Sequence, residues 1–188
     1  KYKEAYSLIK EVIPFPGILG RICHHPCEQN CKRGIFDEPI AIAWLKRFVA
    51  DNFSGSEIKR KEGNKKVAIV GSGPAGITAA IDLMKNGCIV TIFEAEERVS
   101  RILRLIPRFE LPEDVLEEEL NEALKGIEVK TNCTIGKDIK IEDLKKEYNA
   151  ILIATGLQKS RSPEIPGSDL EGVVLALPFL ENVNQGRK

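Results

Sequence analysis

The fold is decided by residues 67–76, which read VAIVGSGPAG. The first four residues form a continuous apolar run rich in β-branched side chains, which is typical of a parallel strand buried on both faces. The glycine-rich turn leads into an alanine-rich helix, predicted over residues 77–86. A second strand is predicted at Ile89–Phe93 and ends at Glu94. The stretch therefore predicts a βαβ unit in a Rossmann-like α/β fold.

The turn has the pattern Gly-x-Gly-x-x-Gly, and each glycine has its own physical reason. Gly71 permits the tight turn, Gly73 lets the backbone approach a pyrophosphate, and Gly76 lets the helix pack closely on the strand. The pyrophosphate would lie at the positive end of the helix. The pattern predicts a dinucleotide site, with a purely structural glycine turn as the alternative. The predicted contacts on the turn are Gly71, Ser72, Gly73, Pro74, Ala75 and Gly76.

An acidic residue follows the second strand at the place where such sites bind a ribose. Glu94 comes 23 positions after Gly71 and is expected to accept hydrogen bonds from the 2′- and 3′-hydroxyls. Its negative charge would repel a 2′-phosphate. NADP is therefore disfavoured at this site.

The composition excludes several classes of function. The chain has 188 residues, with 28 Lys and Arg against 28 Asp and Glu, and this balance argues against nucleic acid or an anionic membrane as a partner. The apolar runs have strand length, far short of the roughly 20 residues of a membrane span. The charged opening residues, with no apolar run after them, are not expected to be a signal peptide. Five cysteines, an odd number, disfavour a closed disulfide framework and favour a reducing, cytoplasmic setting.

Changes in composition divide the chain into three parts. Residues 1–55 show helical periodicity at 1–12 and 39–51 and enclose three cysteines, so a small helical domain is predicted. Residues 56–65 are polar and charged and are predicted to be a linker. Residues 66–188 are predicted to form the N-terminal part of the dinucleotide-binding domain. Its further predicted elements are an acidic helix at 112–124, a strand at 127–132, a helix at 141–147 and a buried strand at 150–154.

Two stretches resemble the flavoproteins that have two dinucleotide-binding domains. One is residues 67–76, which in that superfamily hold the ADP half of FAD. The other is residues 150–156, AILIATG, which resemble the superfamily's second hallmark, a strand that ends in Ala-Thr-Gly against the cofactor. An ordinary NAD dehydrogenase would not need this second hallmark. The resemblance implies FAD, with Ala154, Thr155 and Gly156 closing over it and backbone contacts from Leu103 and Ile135.

The three clustered cysteines lie in the segment GRICHHPCEQNC at residues 20–31. With EPIAI at 38–42 and LKRF at 45–48, this segment resembles the N-terminal part of the glutamate synthase small subunit and its relatives, which include the NADPH-accepting part of dihydropyrimidine dehydrogenase. Further similar stretches occur at 106–112, 131–139 and 165–173. The resemblance implies that Cys23, Cys27 and Cys31 are iron–sulfur ligands, and thiolates are the standard ligands of such clusters.

The residues themselves leave the role of these cysteines open. Three thiolates are one fewer than a [4Fe–4S] cluster normally takes, and Leu19 stands where many relatives have a cysteine. An incomplete cluster site is therefore expected in this chain. The alternatives are zinc bound by the three cysteines with His24 or His25, and free thiols in a folded loop.

The sequence also departs from the family near the expected pyrophosphate. Val99 and Ser100 stand about where most relatives have a Gly-Gly pair, and Leu105 stands where they have glycine. A β-branched residue such as valine is poorly suited to a backbone with positive φ.

The resemblance implies an FAD-dependent NAD(P)H oxidoreductase similar to the glutamate synthase small subunit. Electrons would pass from NADPH or NADH through FAD and iron–sulfur clusters to a partner, either a larger catalytic subunit or the remaining domains of the same protein. No side chain is predicted to be an acid, base or nucleophile, because the cofactors carry this chemistry. No second Gly-x-Gly-x-x-Gly/Ala pattern follows a strand in this sequence, so we expect it to lack the family's NADPH domain and to be inactive alone. A non-catalytic dinucleotide-binding module or electron-transfer adaptor, and an NAD-linked dehydrogenase, are the alternatives.

Overall fold

The structure is a computed structural model that describes residues 1–55 and 60–184. The predicted linker at 56–65 lies partly outside the described residues. Backbone contacts divide the described chain into two compact units. The helical unit comprises residues 1–55 and 109–125, and the sheet unit comprises residues 60–108 and 126–184. Residues 109–125 thus group with the N-terminal helices, whereas the sequence pattern alone assigned them to the second domain.

The predicted elements agree with the observed ones to within three residues at their ends. The sequence did not predict the helices at Pro16–Ile22, Pro26–Gln29, Arg101–Arg104 and Ala176–Asn184 or the 3₁₀ turn at Lys32–Ile35. In chain order the observed elements are α1 (Tyr2–Val12), α2 (Pro16–Ile22), α3 (Pro26–Gln29), a 3₁₀ turn (Lys32–Ile35), α4 (Ile42–Asn52), β1 (Lys66–Val70), α5 (Pro74–Lys85), β2 (Ile89–Phe93), α6 (Arg101–Arg104), α7 (Glu113–Ala123), β3 (Glu128–Lys130), α8 (Ile141–Glu147), β4 (Ala150–Ile153) and α9 (Ala176–Asn184). None of these helices of the described chain is long and apolar enough to cross a membrane.

The sheet unit is built on four parallel strands in the order β3-β2-β1-β4. The two central strands, β1 and β2, are buried from their second residue onward, as their continuous apolar sequences predict. Helix α5 connects them, and its Ile77 and Ala80 are fully buried together with Ile69 and Ile92 of the strands. The predicted Rossmann-like α/β fold class is confirmed.

A second apolar cluster in the sheet unit joins the strands to helix α8. Ala68, Val70 and Phe93 are packed there with Leu144 and Tyr148. The rings of Phe93 and Tyr148 meet edge to face, with their centroids 5.9 Å apart. Ala68 and Val70 of β1 therefore pack in this cluster, whereas the intervening Ile69 is buried with residues of α5. A shift of the strand by one residue would exchange the two sets, so this packing fixes its register.

Strand β4 lies at the edge of the sheet and is not buried. It pairs with β1 alone within the described residues. Leu152 and Ile153 are 38% and 57% exposed. The prediction that the strand at 150–154 is buried is wrong. An apolar run indicates that burial would be favourable, but it does not show which elements would cover the strand.

A buried carboxylate anchors helix α7 in the helical unit. Glu119 is 6% exposed, and its oxygens accept the N–H groups of Gly17 at 2.8 Å and Ile18 at 2.7 Å. These N–H groups belong to the first turn of α2. The N–H groups of a first turn have no carbonyl partner within their own helix. Burial raises the pKa of Glu119, and the two N–H donors oppose that rise. This pairing explains why α7 groups with the N-terminal helices.

The aromatic residues of the helical unit are divided between the core and the surface. Tyr6 is buried, and its hydroxyl donates to Glu122 of α7 at 2.8 Å. Trp44, the only tryptophan of the sequence, is 64% exposed and carries the Arg47 guanidinium 5.3 Å from its ring centroid.

Candidate dinucleotide-binding site

The glycine-rich turn connects the end of β1 to the start of α5. Gly71 adopts φ +107°, a conformation that side-chain-bearing residues rarely adopt, and its N–H donates to the carbonyl of Phe93 at 2.8 Å. Helix α5 begins at Pro74, and no side chain caps its N-terminus. A helix end of this kind presents N–H groups and a partial positive charge to an anion.

The other two glycines of the pattern have different surroundings. A Cβ atom on Gly76 would overlap the carbonyl oxygen of Gly71, so this glycine permits the close approach of helix and turn. A Cβ atom on Gly73 would meet nothing within 4 Å. Gly73 therefore leaves open space in front of the backbone, which is the space that an approaching phosphate would need.

Glu94 lies beside the turn and is held by three donors. One carboxylate oxygen accepts the N–H of Ser72 at 3.0 Å and also the Ser72 hydroxyl. The other oxygen accepts the N–H of Glu96 at 2.9 Å. The Ser72 hydroxyl in turn accepts the N–H of Ser100 at 2.9 Å. The carboxylate is therefore fixed before any ligand binds.

Ser100 lies at the start of α6 in a conformation that a glycine would adopt without strain. Its φ is +57°, it is fully buried, and its own hydroxyl has no hydrogen-bond partner in residues 1–55 and 60–184. Val99 does not have a positive φ, so the strain falls on the serine and not on the β-branched residue.

A cavity of about 490 Å³ opens where the carboxyl ends of the strands meet. Strands β2 and β3 follow on one side of β1, and the chain then crosses to place β4 on the other side of β1. The direction of strand addition therefore reverses at β1. Open α/β sheets bind ligands at such a switch point. Glu94, Glu96 and Arg101 bring charge to the cavity wall. Hydrogen bonding to Glu181, at 2.9 Å, raises the pKa of Arg101.

Most of the predicted cofactor-binding residues come together at this cavity. The residues that line it are Gly71, Ser72, Gly73, Pro74, Ala75, Glu94, Ile135, Ala154, Thr155 and Gly156. Two lie elsewhere: Gly76 is packed inside the start of α5, and Leu103 is buried at 6% exposure and does not line the cavity. Their contacts with a cofactor stay a prediction.

Sequence reasoning missed several residues of the cavity wall. Cys133 and Thr134 follow β3, and Leu157 and Gln158 follow β4. Cys133 is half-buried, and burial raises the pKa of its thiol. The signal that could have found these residues is their position after a parallel strand, since all such ends meet at one edge.

The cysteine segment of the helical unit does not form a comparable site. Cys23 ends α2, Cys27 lies in α3, and Cys31 precedes the 3₁₀ turn. Cys23 Sγ accepts the N–H of His25 at 3.3 Å. Backbone hydrogen bonds from Ile40 and then Arg33 lower the pKa of Cys31, which favours its thiolate.

These thiols do not meet the demands of a complete metal centre. Within residues 1–55 and 60–184, no three His, Cys, Asp or Glu side chains are grouped so that they could hold a metal ion. The same holds for the zinc alternative with His24 or His25. A [4Fe–4S] cluster needs four thiolates, so the described residues do not fit the whole of such a group.

The fold and the cavity together define a dinucleotide-binding domain of the Rossmann class: a parallel sheet, a glycine turn at a helix start, and an acid after the second strand. Residues 65–187 match the family model for pyridine nucleotide-disulphide oxidoreductase. The chain belongs to this oxidoreductase family. Residues 1–58 match the model for dihydropyrimidine dehydrogenase domain II, 4Fe-4S cluster.

Curated relatives support the predicted resemblance. The chain is 37% identical over 218 residues to the beta subunit of the NADP(+)-dependent formate dehydrogenase of Moorella thermoacetica, covering 100% of this chain and 31% of that protein. It is 36% identical over 187 residues to the glutamate synthase [NADPH] small chain of Bacillus subtilis, covering 96% and 38%. The chain thus spans roughly a third of the length of these relatives. The predicted family is confirmed, and with it the classes of cofactor, a flavin or nicotinamide dinucleotide and a 4Fe-4S cluster, that its models describe.

Among solved structures, FprA of Mycobacterium tuberculosis in complex with NADPH is similar to this chain with a TM-score of 0.57. The identity is 24%, over 65% of this chain and 29% of that one. This likeness supports the fold alone.

Proposed function

We propose that this chain is the FAD-binding component of an oxidoreductase that takes electrons from NADPH or NADH and passes them through FAD to iron–sulfur clusters and a partner subunit. One observation carries the proposal: the glycine turn, Glu94 and the segment Ala154–Gly156 line a single cavity at the switch point of the sheet. The open space in front of Gly73 supports a phosphate there.

Each part of the cavity has a role that follows from its chemistry. The N–H groups at the start of α5 bind the pyrophosphate. Glu94 accepts a ribose hydroxyl and repels a 2′-phosphate. The backbone at Thr155 and Gly156 borders the opposite side of the cavity. Bound FAD supplies hydride and single-electron transfer, and the residues of this chain bind and orient it.

The thiols and the partner extend the proposal to the whole protein. Cys23, Cys27 and Cys31 supply three thiolates, and further ligands from outside the described residues complete the cluster site. The partner is a larger catalytic subunit or further domains, because the similar proteins include a dehydrogenase beta subunit and a glutamate synthase small chain. All five cysteines are free thiols, which suits a reducing compartment such as the cytoplasm.

Titration of the purified chain with FAD tests the proposal directly. Flavin absorption and fluorescence report binding, and calorimetry with FAD, NADH and NADPH compares the three dinucleotides on one scale. FAD is expected to bind most tightly. A chain that binds NADH in preference to FAD would instead be an NAD-linked dehydrogenase domain, and one that binds none of them would contradict dinucleotide binding altogether.

A non-catalytic dinucleotide-binding module, or an electron-transfer adaptor, is the second candidate. It is favoured by the strained Ser100 beside the site and by the lack of a metal-holding group among the described residues. Anaerobic reconstitution with iron and sulfide, on the whole protein that carries the further ligands, separates the two. A cluster signal in electron paramagnetic resonance after reduction supports the electron-transfer role, and bound FAD without any cluster supports the module.

A further inference from the structure

Ser72 occupies the variable position between the first two glycines of the turn and is completely buried. Its hydroxyl has two partners. It donates to Glu94, because an ionised carboxylate can only accept, and it accepts the N–H of Ser100 at 2.9 Å. A hydroxyl has a single proton, so Ser72 has none left to offer a ligand.

The contacts of Ser72 determine which part of Glu94 can bind. Both the N–H and the hydroxyl of Ser72 are directed to one carboxylate oxygen, Oε2. Among the described residues, the other oxygen, Oε1, accepts only the N–H of Glu96, at 2.9 Å. Oε1 therefore keeps a lone pair for a further donor, and Glu94 lines the cavity.

The same hydroxyl connects two segments that border the cavity. Glu94 follows β2, and Ser100 begins α6, whose next residues, Arg101 and Ile102, line the cavity wall. Ser100 presents its N–H to Ser72 while its φ is +57°. Loss of the Ser72 hydroxyl would remove one of the three donors that hold the Glu94 carboxylate and leave the buried N–H of Ser100 without its acceptor.

We infer that Ser72 is a positioning residue that holds Glu94 with Oε1 available to an adenosine ribose. This inference rests on the proposed function, since it concerns how that site reads its ligand. It assigns to Ser72 an action through Glu94 and not a side-chain contact with the dinucleotide.

Calorimetry on the full 188-residue chain tests the inference with two probes, ADP and 2′,3′-dideoxy-ADP. They share the base and the phosphates and differ only in the ribose hydroxyls. The wild type is expected to bind ADP about tenfold more tightly, because a hydrogen bond to a charged group is lost with the hydroxyls. In Ser72→Ala the ratio is expected to fall to within about twofold, because ADP loses more affinity than dideoxy-ADP does.

Two further variants control the comparison. Ser7→Ala makes the same chemical change at an exposed position of α1 and should keep the wild-type ratio. Glu94→Gln should lower the ratio as Ser72→Ala does. Circular dichroism verifies folding. If Ser72→Ala does not fold, Ser72→Cys decides, because its thiol has similar shape but is a weaker donor and should give an intermediate ratio.

The outcomes separate the inference from the proposed function. Equal weakening of both probes by Ser72→Ala would show that Ser72 only maintains the turn, and an unchanged ratio would show that Glu94 is held without it; either result overturns the inference. A wild type that binds both probes equally also overturns it but leaves the dinucleotide site intact. A wild type that binds neither probe nor FAD overturns the proposed function itself.

Discussion

The glycine turn of the sheet unit and the cysteine segment of the helical unit are both candidate binding regions, but they are built differently. The turn offers backbone N–H groups to a ligand. It is held in place because it follows β1, which pairs with a strand on each side. The cysteine segment consists of the four-residue α3 and a 3₁₀ turn, joined to α4 by the Glu28 carboxylate, which accepts the N–H of Ala43 at 2.8 Å. A site made of backbone groups forms when the chain folds, whereas thiolates are drawn together by the bonds of the metal they bind.

The largest expected effect tests whether folding alone builds the turn. Gly76→Ala places a Cβ atom against the Gly71 carbonyl oxygen, inside a helix start that cannot shift without moving β1. It should lower the free energy of unfolding by ~3 kcal/mol or more, measured by urea denaturation. Gly73→Ala is the matched control, because its Cβ atom meets nothing. It should keep the stability and lose FAD affinity, and equal stabilities of the two variants would contradict the difference in their roles.

The second prediction tests the anchor of the helical unit. Glu119→Leu leaves the buried N–H groups of Gly17 and Ile18 without acceptors and should cost about 2–4 kcal/mol of stability. Loss of stability without loss of nucleotide binding would confirm that the two regions are independent. A fall in nucleotide affinity in this variant would contradict the independence of the two regions.

Glu119 also predicts a pH dependence. Burial raises its pKa above the ordinary 4.5, so above pH 4.5 the folded chain retains a proton that the unfolded chain releases. The stability that protonated Glu119 provides is complete below pH 4.5 and declines as the pH rises through the folded pKa. Urea denaturation on both sides of pH 4.5 should show the wild type losing stability relative to Glu119→Gln as the pH rises. A constant difference between the two proteins would rule out this titration.

The thiols of the two regions should differ in reactivity. Backbone hydrogen bonds lower the pKa of Cys31, whereas burial raises that of Cys133 in the cavity wall. Because the thiolate is the nucleophile, iodoacetamide at neutral pH should alkylate Cys31 several-fold faster. Mass spectrometry of the peptides measures both rates in one sample. FAD should slow the reaction of Cys133 further and leave Cys31 unaffected.

The smallest effect concerns Ser100. Ser100→Gly removes both a positive φ on a residue with a side chain and a buried hydroxyl that has no partner. It should stabilise the protein by about 1 kcal/mol, because these gains exceed the extra entropy that glycine has in the unfolded chain. Asn132→Gly is the control, since Asn132 has a φ of +53° but is exposed. Equal gains in the free energy of unfolding of the two variants would show that the buried, unpartnered hydroxyl of Ser100 does not contribute to the effect.

The features that could be predicted from the sequence are those encoded over short distances. The central strands, helix α5 and Glu94 follow from a local pattern in which each residue has a direct physical reason. The edge position of β4 and the grouping of α7 with the N-terminal helices depend on partners distant in sequence. An apolar stripe on a helix indicates that this face packs against another element, but it does not indicate which element that is. The link from Glu94 through Ser72 to Ser100 is of the same kind, because hydroxyl partners leave no periodic signal.

The contact between Glu119 and the start of α2 also has a consequence for the order of synthesis. Glu119 lies 102 residues after Gly17, and the strands β1 and β2 are made between them. On the ribosome, the N-terminal helices therefore emerge early but lack the carboxylate that satisfies α2. These helices thus leave the ribosome before the sheet strands but cannot finish folding before them, and any chaperone or partner that meets the nascent chain at that stage meets them without α7.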